Sequence, residues 1–99
     1  MINIPRILVE PGDLFPLTFI SEENCSGETL IAELFSTELT AIDDITILYT
    51  VSSGSESGGN RGDTIEMILN FSDVESGNYY CKIYTDETGI LARGTVIVK

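Results

Sequence analysis

Short runs rich in Val, Ile, Thr, Tyr and Phe follow one another along this chain, each closed by Gly, Pro, Asn, Asp or Ser. That spacing predicts an all-β sandwich or barrel. The runs are Ile4 to Glu10, Leu14 to Ser21, Ile45 to Val51, Thr64 to Phe71, Asn78 to Thr85 and Ile90 to Val98. Glu10-Pro11-Gly12-Asp13 reads as a turn, and Asp86-Glu87-Thr88-Gly89 as a hairpin turn whose glycine takes positive φ. Ser52 to Gly62 is rich in Gly and Ser and reads as a loop tip. Phe15, Leu17 and Phe19 recur with period two, so one face of their strand is apolar. Pro16 points the other way and has no N–H to donate, so the strand should be irregular or unpaired there. Leu30 to Phe35 is ambiguous. Leu30, Ile31, Leu34, Phe35 and Leu39 fit a helix, whereas a strand buries Leu30, Ala32 and Leu34.

Composition narrows the function classes. The 99 residues fit one domain. With 42% hydrophobic residues the chain can form a core despite a charge of -11. Residues 7–60 hold ten of the 16 acids and no base, so this part carries most of the field. Five basic residues make no nucleic-acid footprint. No histidine is present, which removes Ser–His and Cys–His catalysis and histidine-held zinc. No nucleophile set or phosphate loop accompanies the paired acids Asp43 and Asp44, so no enzyme and no cofactor are expected. Met1 to Arg6 is no signal peptide, and no apolar run is long enough to span a membrane, so synthesis in the cytoplasm is expected. Cys25 and Cys81 are the only thiols, and spacing alone does not decide whether they pair.

The stretch Asp73-Val74-Glu75-Ser76-Gly77-Asn78-Tyr79-Tyr80-Cys81 resembles the corner between strands E and F of an immunoglobulin-like domain. The family pattern is an acid, a small residue, any residue, Tyr, any residue, Cys. Glu75 stands for the usual Asp. Gly77 permits the corner, Cys81 points inward, and the Tyr79 hydroxyl is expected to bond backbone upstream. Val9 to Phe19 resembles strands A and B of the family. Phe19 then sits where the first cysteine normally stands, and packs against Cys81. A register that makes Cys25 the partner takes Phe15, Leu17 and Phe19 out of the inward row and puts a cysteine from a polar run in their place. The strand C tryptophan is missing too, with Leu30 or Ile31 left to fill its volume. The resemblance therefore implies a single immunoglobulin-like β-sandwich over residues 1–99. It has about seven antiparallel strands and no intersheet disulfide, and Leu30 to Phe35 serves as strand C with the helix as competitor. The lost disulfide suits a reducing cytosol.

Several residues are candidates for contact. Tyr80 and Tyr84, with Lys82 between them, fall on the outer face of their strand and suit stacking on a sugar or a protein. Arg61-Gly62-Asp63 matches a tripeptide that integrins recognise, but a chance turn tripeptide accounts for it as well. The loop acids Glu22, Glu23, Glu28, Asp86 and Glu87 are expected to gather at one end of the sandwich. A calcium site there needs several oxygens from spaced carboxylates, and no such loop motif is present. The chain resembles the immunoglobulin-like accessory proteins of bacteriophage virions. That implies a structural, non-enzymatic decoration protein that attaches to a capsid or tail protein and meets host-surface glycans. It would reside in the virion, bind no nucleic acid and insert in no membrane. The competing readings are an adhesion or receptor immunoglobulin domain excised from a larger secreted chain, and a calcium-dependent binding module. The acidity is expected to place any docking surface on the less acidic C-terminal strands, or against a basic partner.

Overall fold

The computed structural model describes residues 1–23, 25, 27–36, 41–45, 47–52 and 63–99. Nine strand segments fall among them: β1 (Ile2–Asn3), β2 (Ile7–Val9), β3 (Leu14–Ile20), β4 (Ile31–Ser36), β5 (Ala41–Ile45), β6 (Ile47–Ser52), β7 (Thr64–Asn70), β8 (Gly77–Thr85) and β9 (Gly89–Val98). They form two sheets. The first runs β1-β9-β8-β4-β5, with β2 also on β9, and the second runs β3-β7-β6. The fold is all-β, compatible with a sandwich. No helix among the described residues is long and apolar enough to cross a membrane.

Alternation builds both inner faces. In β7, Ile65, Met67 and Leu69 point inward while Glu66 and Ile68 point out. In β8, Tyr79, Cys81, Ile83 and Thr85 are buried. All of these but Thr85 meet Phe19, Ala32, Leu34, Phe71 and Val96 in one apolar cluster. Burying apolar area of this kind is the main favourable term in folding.

Some sequence expectations are corrected. The run from Ile4 to Glu10 divides into β1 and β2, separated by residues 4–6, and both lie parallel to β9. The strand expected over Leu30 to Phe35, against the helical alternative, is present as β4 (Ile31–Ser36), because β5 and β8 pair with it on both sides. The strand β5 was not expected at all. It pairs only with β4 among the described residues, an edge position at which charged residues such as Asp43 and Asp44 are common. Pro16 interrupts nothing. The β3–β7 ladder runs unbroken from Leu14↔Asn70 to Ile20↔Thr64, with Pro16 opposite Ile68. Among the described residues β3 pairs with β7 alone, and an edge strand tolerates a residue without an N–H.

The turn at Glu10–Asp13 is held from both ends. Asp13 N–H donates to the Glu10 carbonyl at 3.1 Å, and Glu10 N–H donates to Asp13 Oδ2 at 2.8 Å. Gly12 supplies the positive φ of 92° that this turn requires.

Candidate functional site

The outer face of the first sheet carries the aromatic and cationic residues together. Strand alternation turns Tyr80, Lys82 and Tyr84 of β8 outward, and register sets Glu33 and Phe35 of β4 beside Lys82 and Tyr80. On the other side Arg93 and Thr95 of β9 pair with the same two residues. Tyr80 is 42% exposed. The Lys82 ammonium lies 3.5 Å from Glu33 Oε1, 5.0 Å from the Phe35 ring centre and 4.7 Å from that of Tyr84. Its charge is thus satisfied within the protein by a carboxylate and two ring faces. Lys82 organises this surface more than it offers a free cation.

Next to it opens a groove of about 560 Å³, within the range of small-ligand sites. Phe35, Tyr80 and Ile90 line it on the β4–β8–β9 side, and Asn3 and Ile4 close it where the N-terminal segment runs parallel alongside β9. That close approach depends on Gly94. A Cβ there would stand 2.5 Å from Ile4 Cγ1 and 2.9 Å from the Ile4 carbonyl oxygen. The Ile4 N–H donates to the Arg93 carbonyl at 2.9 Å. Sequence reading found Tyr80, Lys82 and Tyr84 but missed Asn3, Arg93 and Thr95. The available signal was a glycine inside a strand, which often marks a close backbone approach.

The opposite sheet presents a second exposed surface. Pro16, Ile68 and Leu48 fall in one register row across β3, β7 and β6, with Leu48 70% exposed. Glu66 is exposed on the same face. This row offers an apolar surface.

The loop acids do not gather as a cation site. Among the described residues no three of His, Cys, Asp or Glu are placed to hold a metal. Glu22 and Glu23 are exposed, as are Asp86 and Glu87. The Glu22 carboxylate lies against the Met1 amino group. Glu28 is occupied otherwise: the hydroxyls of Thr85 and Thr88 donate to its Oε1 at 2.5 and 2.6 Å. The Thr85 oxygen also accepts from Thr88 N–H at 2.9 Å. Glu28 thereby ties its loop to the β8–β9 turn.

Those hydroxyl bonds, first from Thr85 and then from Thr88, hold the Glu28 carboxyl below its ordinary value. A carboxyl held low in the folded state adds stability above its unfolded pKa, and that share is lost as pH falls through its folded pKa. The difference in melting temperature between pH 7 and acid should therefore narrow in Glu28→Gln. Thermal scans of both proteins across the acid range check this.

Arg61 and Gly62 lie outside the described residues, but Asp63 does not. It is 2% exposed, and its Oδ2 accepts from Cys25 N–H at 2.9 Å. Ser21 N–H donates to the Asp63 carbonyl at 2.9 Å, and Asp63 N–H donates to Ser21 Oγ at 3.1 Å. A carboxylate turned inward and bonded there is not displayed to a receptor. Cys25, which falls in a polar run of the sequence, is 0% exposed. Burial, then the nearby Asp63 charge, raises its thiol pKa. Burial alone pushes Cys81 up to about 12. Both cysteines are free thiols, and both are held away from the reactive thiolate form.

At the corner before β8, the Tyr79 hydroxyl donates to the Glu75 carbonyl at 2.7 Å. Gly77 carries φ of 156°, a backbone conformation that other residues rarely adopt. Phe19 and Cys81 belong to the same core cluster. Tyr79→Phe should lose about 1 kcal/mol, the net worth of one such bond. For a domain of this size that is a fall of roughly 4–8 °C in melting temperature. Calorimetry checks it.

No protein-family model matches the chain, and no curated protein matches it.

Proposed function

We propose that this chain is an immunoglobulin-like module acting as a non-enzymatic accessory protein of a virus particle, of the kind that decorates bacteriophage capsids or tails. The fold reading rests on the corner before β8. A tyrosine two residues before a buried cysteine bonds backbone four residues upstream, as in the tyrosine corner of immunoglobulin domains. Strand order supports it. With β3, β6 and β7 as strands B, D and E, the second sheet reads B-E-D. With β5, β4, β8 and β9 as C′, C, F and G, the first reads C′-C-F-G, the variable-type arrangement. Phe19 stands in the core in place of the first cysteine of that fold.

The functional reading rests on the outer face of the first sheet. It combines aromatic side chains, a groove and two of the five basic residues of a chain whose net charge is -11. Aromatic and arginine side chains are the residue types that carry binding energy at protein contacts. The buried thiols and the absence of histidine favour binding over catalysis. The module attaches by this face to a capsid or tail protein, with weak glycan contact as a secondary role. Mass spectrometry of purified particles tests it. Stoichiometric recovery of the chain, and rebinding of purified protein to particles made without it, are the expected results. Absence from particles in cells that express the chain ends the proposal.

A further inference from the structure

We infer that the groove between β9 and the β4–β8 face takes an extended peptide segment that sets one Asp or Glu on Arg93 and apolar side chains against Phe35, Tyr80 and Ile90. The inference rests on the reading of this face as the contact surface and adds the chemistry of what it contacts. Charge is the first argument. Arg93 is exposed and forms no ion pair among the described residues, in a chain with 16 acids. Its neighbour Lys82, opposite it in register, is already held by Glu33 and two rings. The groove thus presents one unspent guanidinium, whose planar fork suits a carboxylate in two parallel hydrogen bonds.

The walls supply the second argument. Apolar surface makes up most of the lining, and polar side chains are few: Asn3, Thr95, the Tyr80 hydroxyl and Lys82, itself held by Glu33, beside Arg93. A saccharide carries hydroxyls all round its ring, and most would lose water here without finding a partner, at a cost for each. A peptide with one acid between apolar residues meets both features. Its carboxylate finds the cation and its apolar side chains cover the rings. The field of the remaining chain repels an anionic ligand at long range, so the expected contact is short, with a single acid and no acidic run.

The test is selection from a displayed library of random peptides on the folded, full-length protein. Binding of the selected peptides is then measured against wild type, Arg93→Ala and Arg93→Glu. Each variant must first show an unchanged melting temperature, as expected for an exposed side chain. The selected peptides should carry one Asp or Glu flanked by apolar residues. Arg93→Ala should weaken their binding about tenfold or more, the worth of a charge-assisted hydrogen bond. Selection on Arg93→Glu should favour Lys or Arg in place of the acid. Selected peptides without acids, binding indifferent to Arg93, or no selected peptide at all would overturn the inference. So would carboxylated saccharides that bind wild type in an Arg93-dependent manner while peptides do not. None of these outcomes touches recovery of the chain from particles, so failure here and failure of the virion reading remain separate.

Discussion

Phe71→Ala should cost about 3–5 kcal/mol, the usual loss for a fully buried Phe. That is a large share of the roughly 5–15 kcal/mol that holds a domain folded. The side chain is 0% exposed, and the residue is a junction of three segments. Its carbonyl accepts from Gly12 N–H at 3.2 Å and from Val74 N–H at 3.2 Å, and its own N–H donates to the Asp13 carbonyl at 3.0 Å. Removing the ring opens a cavity beneath the Glu10–Asp13 turn and the corner that leads into β8. Neither the turn nor the corner can collapse to fill it without stretching those bonds. The variant should unfold at much lower urea, with an unchanged slope if only stability is altered. Ile68→Ala, on the outer face of the same region and 39% exposed, serves as control and should lose far less.

Asp63→Ala should be the next most damaging change, at about 1–3 kcal/mol or more, because a buried amide loses a charged acceptor. The Cys25 N–H that now donates to Oδ2 at 2.9 Å would have no water to replace it, since Cys25 is 0% exposed. Asp63→Asn keeps an acceptor oxygen and should recover part of the loss. Urea melts of the three proteins give the order wild type, Asn, Ala. An Arg-Gly-Asp displayed for recognition predicts otherwise: the Ala variant would keep its stability and lose only adhesion. The inward carboxylate makes stability the quantity that moves.

Much of this architecture was legible in the sequence, for reasons that differ by element. β7 and β8 declare themselves because alternation over seven and nine residues leaves no helical alternative. β4 does not, since its six residues satisfy periods of 2 and 3.6 about equally, and long-range pairing with β5 and β8 decides. β5 was missed, and it carries adjacent acids that an edge strand accepts. The burial of Cys25 was invisible because its partner, Asp63, lies 38 residues away in sequence. The candidate surface was half legible. Alternation exposed Tyr80, Lys82 and Tyr84, but Asn3 and Ile4 reach the groove through a parallel pairing with β9 that no local pattern encodes. Lys82 also changed meaning. In sequence it was a contact residue, whereas Glu33, Phe35 and Tyr84 make it the clamp of its own sheet.

On the proposed function, the protein meets its particle through the outer face of the first sheet and not through the apolar row of the second. Rebinding to particles made without the chain decides between the two faces. Wild type, Tyr80→Ala and Leu48→Asp should all fold, since both side chains are largely exposed, at 42% and 70%. The predicted result is that Leu48→Asp rebinds like wild type while Tyr80→Ala falls by about tenfold or more, as expected of a central aromatic contact. Full rebinding by Tyr80→Ala, with binding lost in Leu48→Asp, would contradict it.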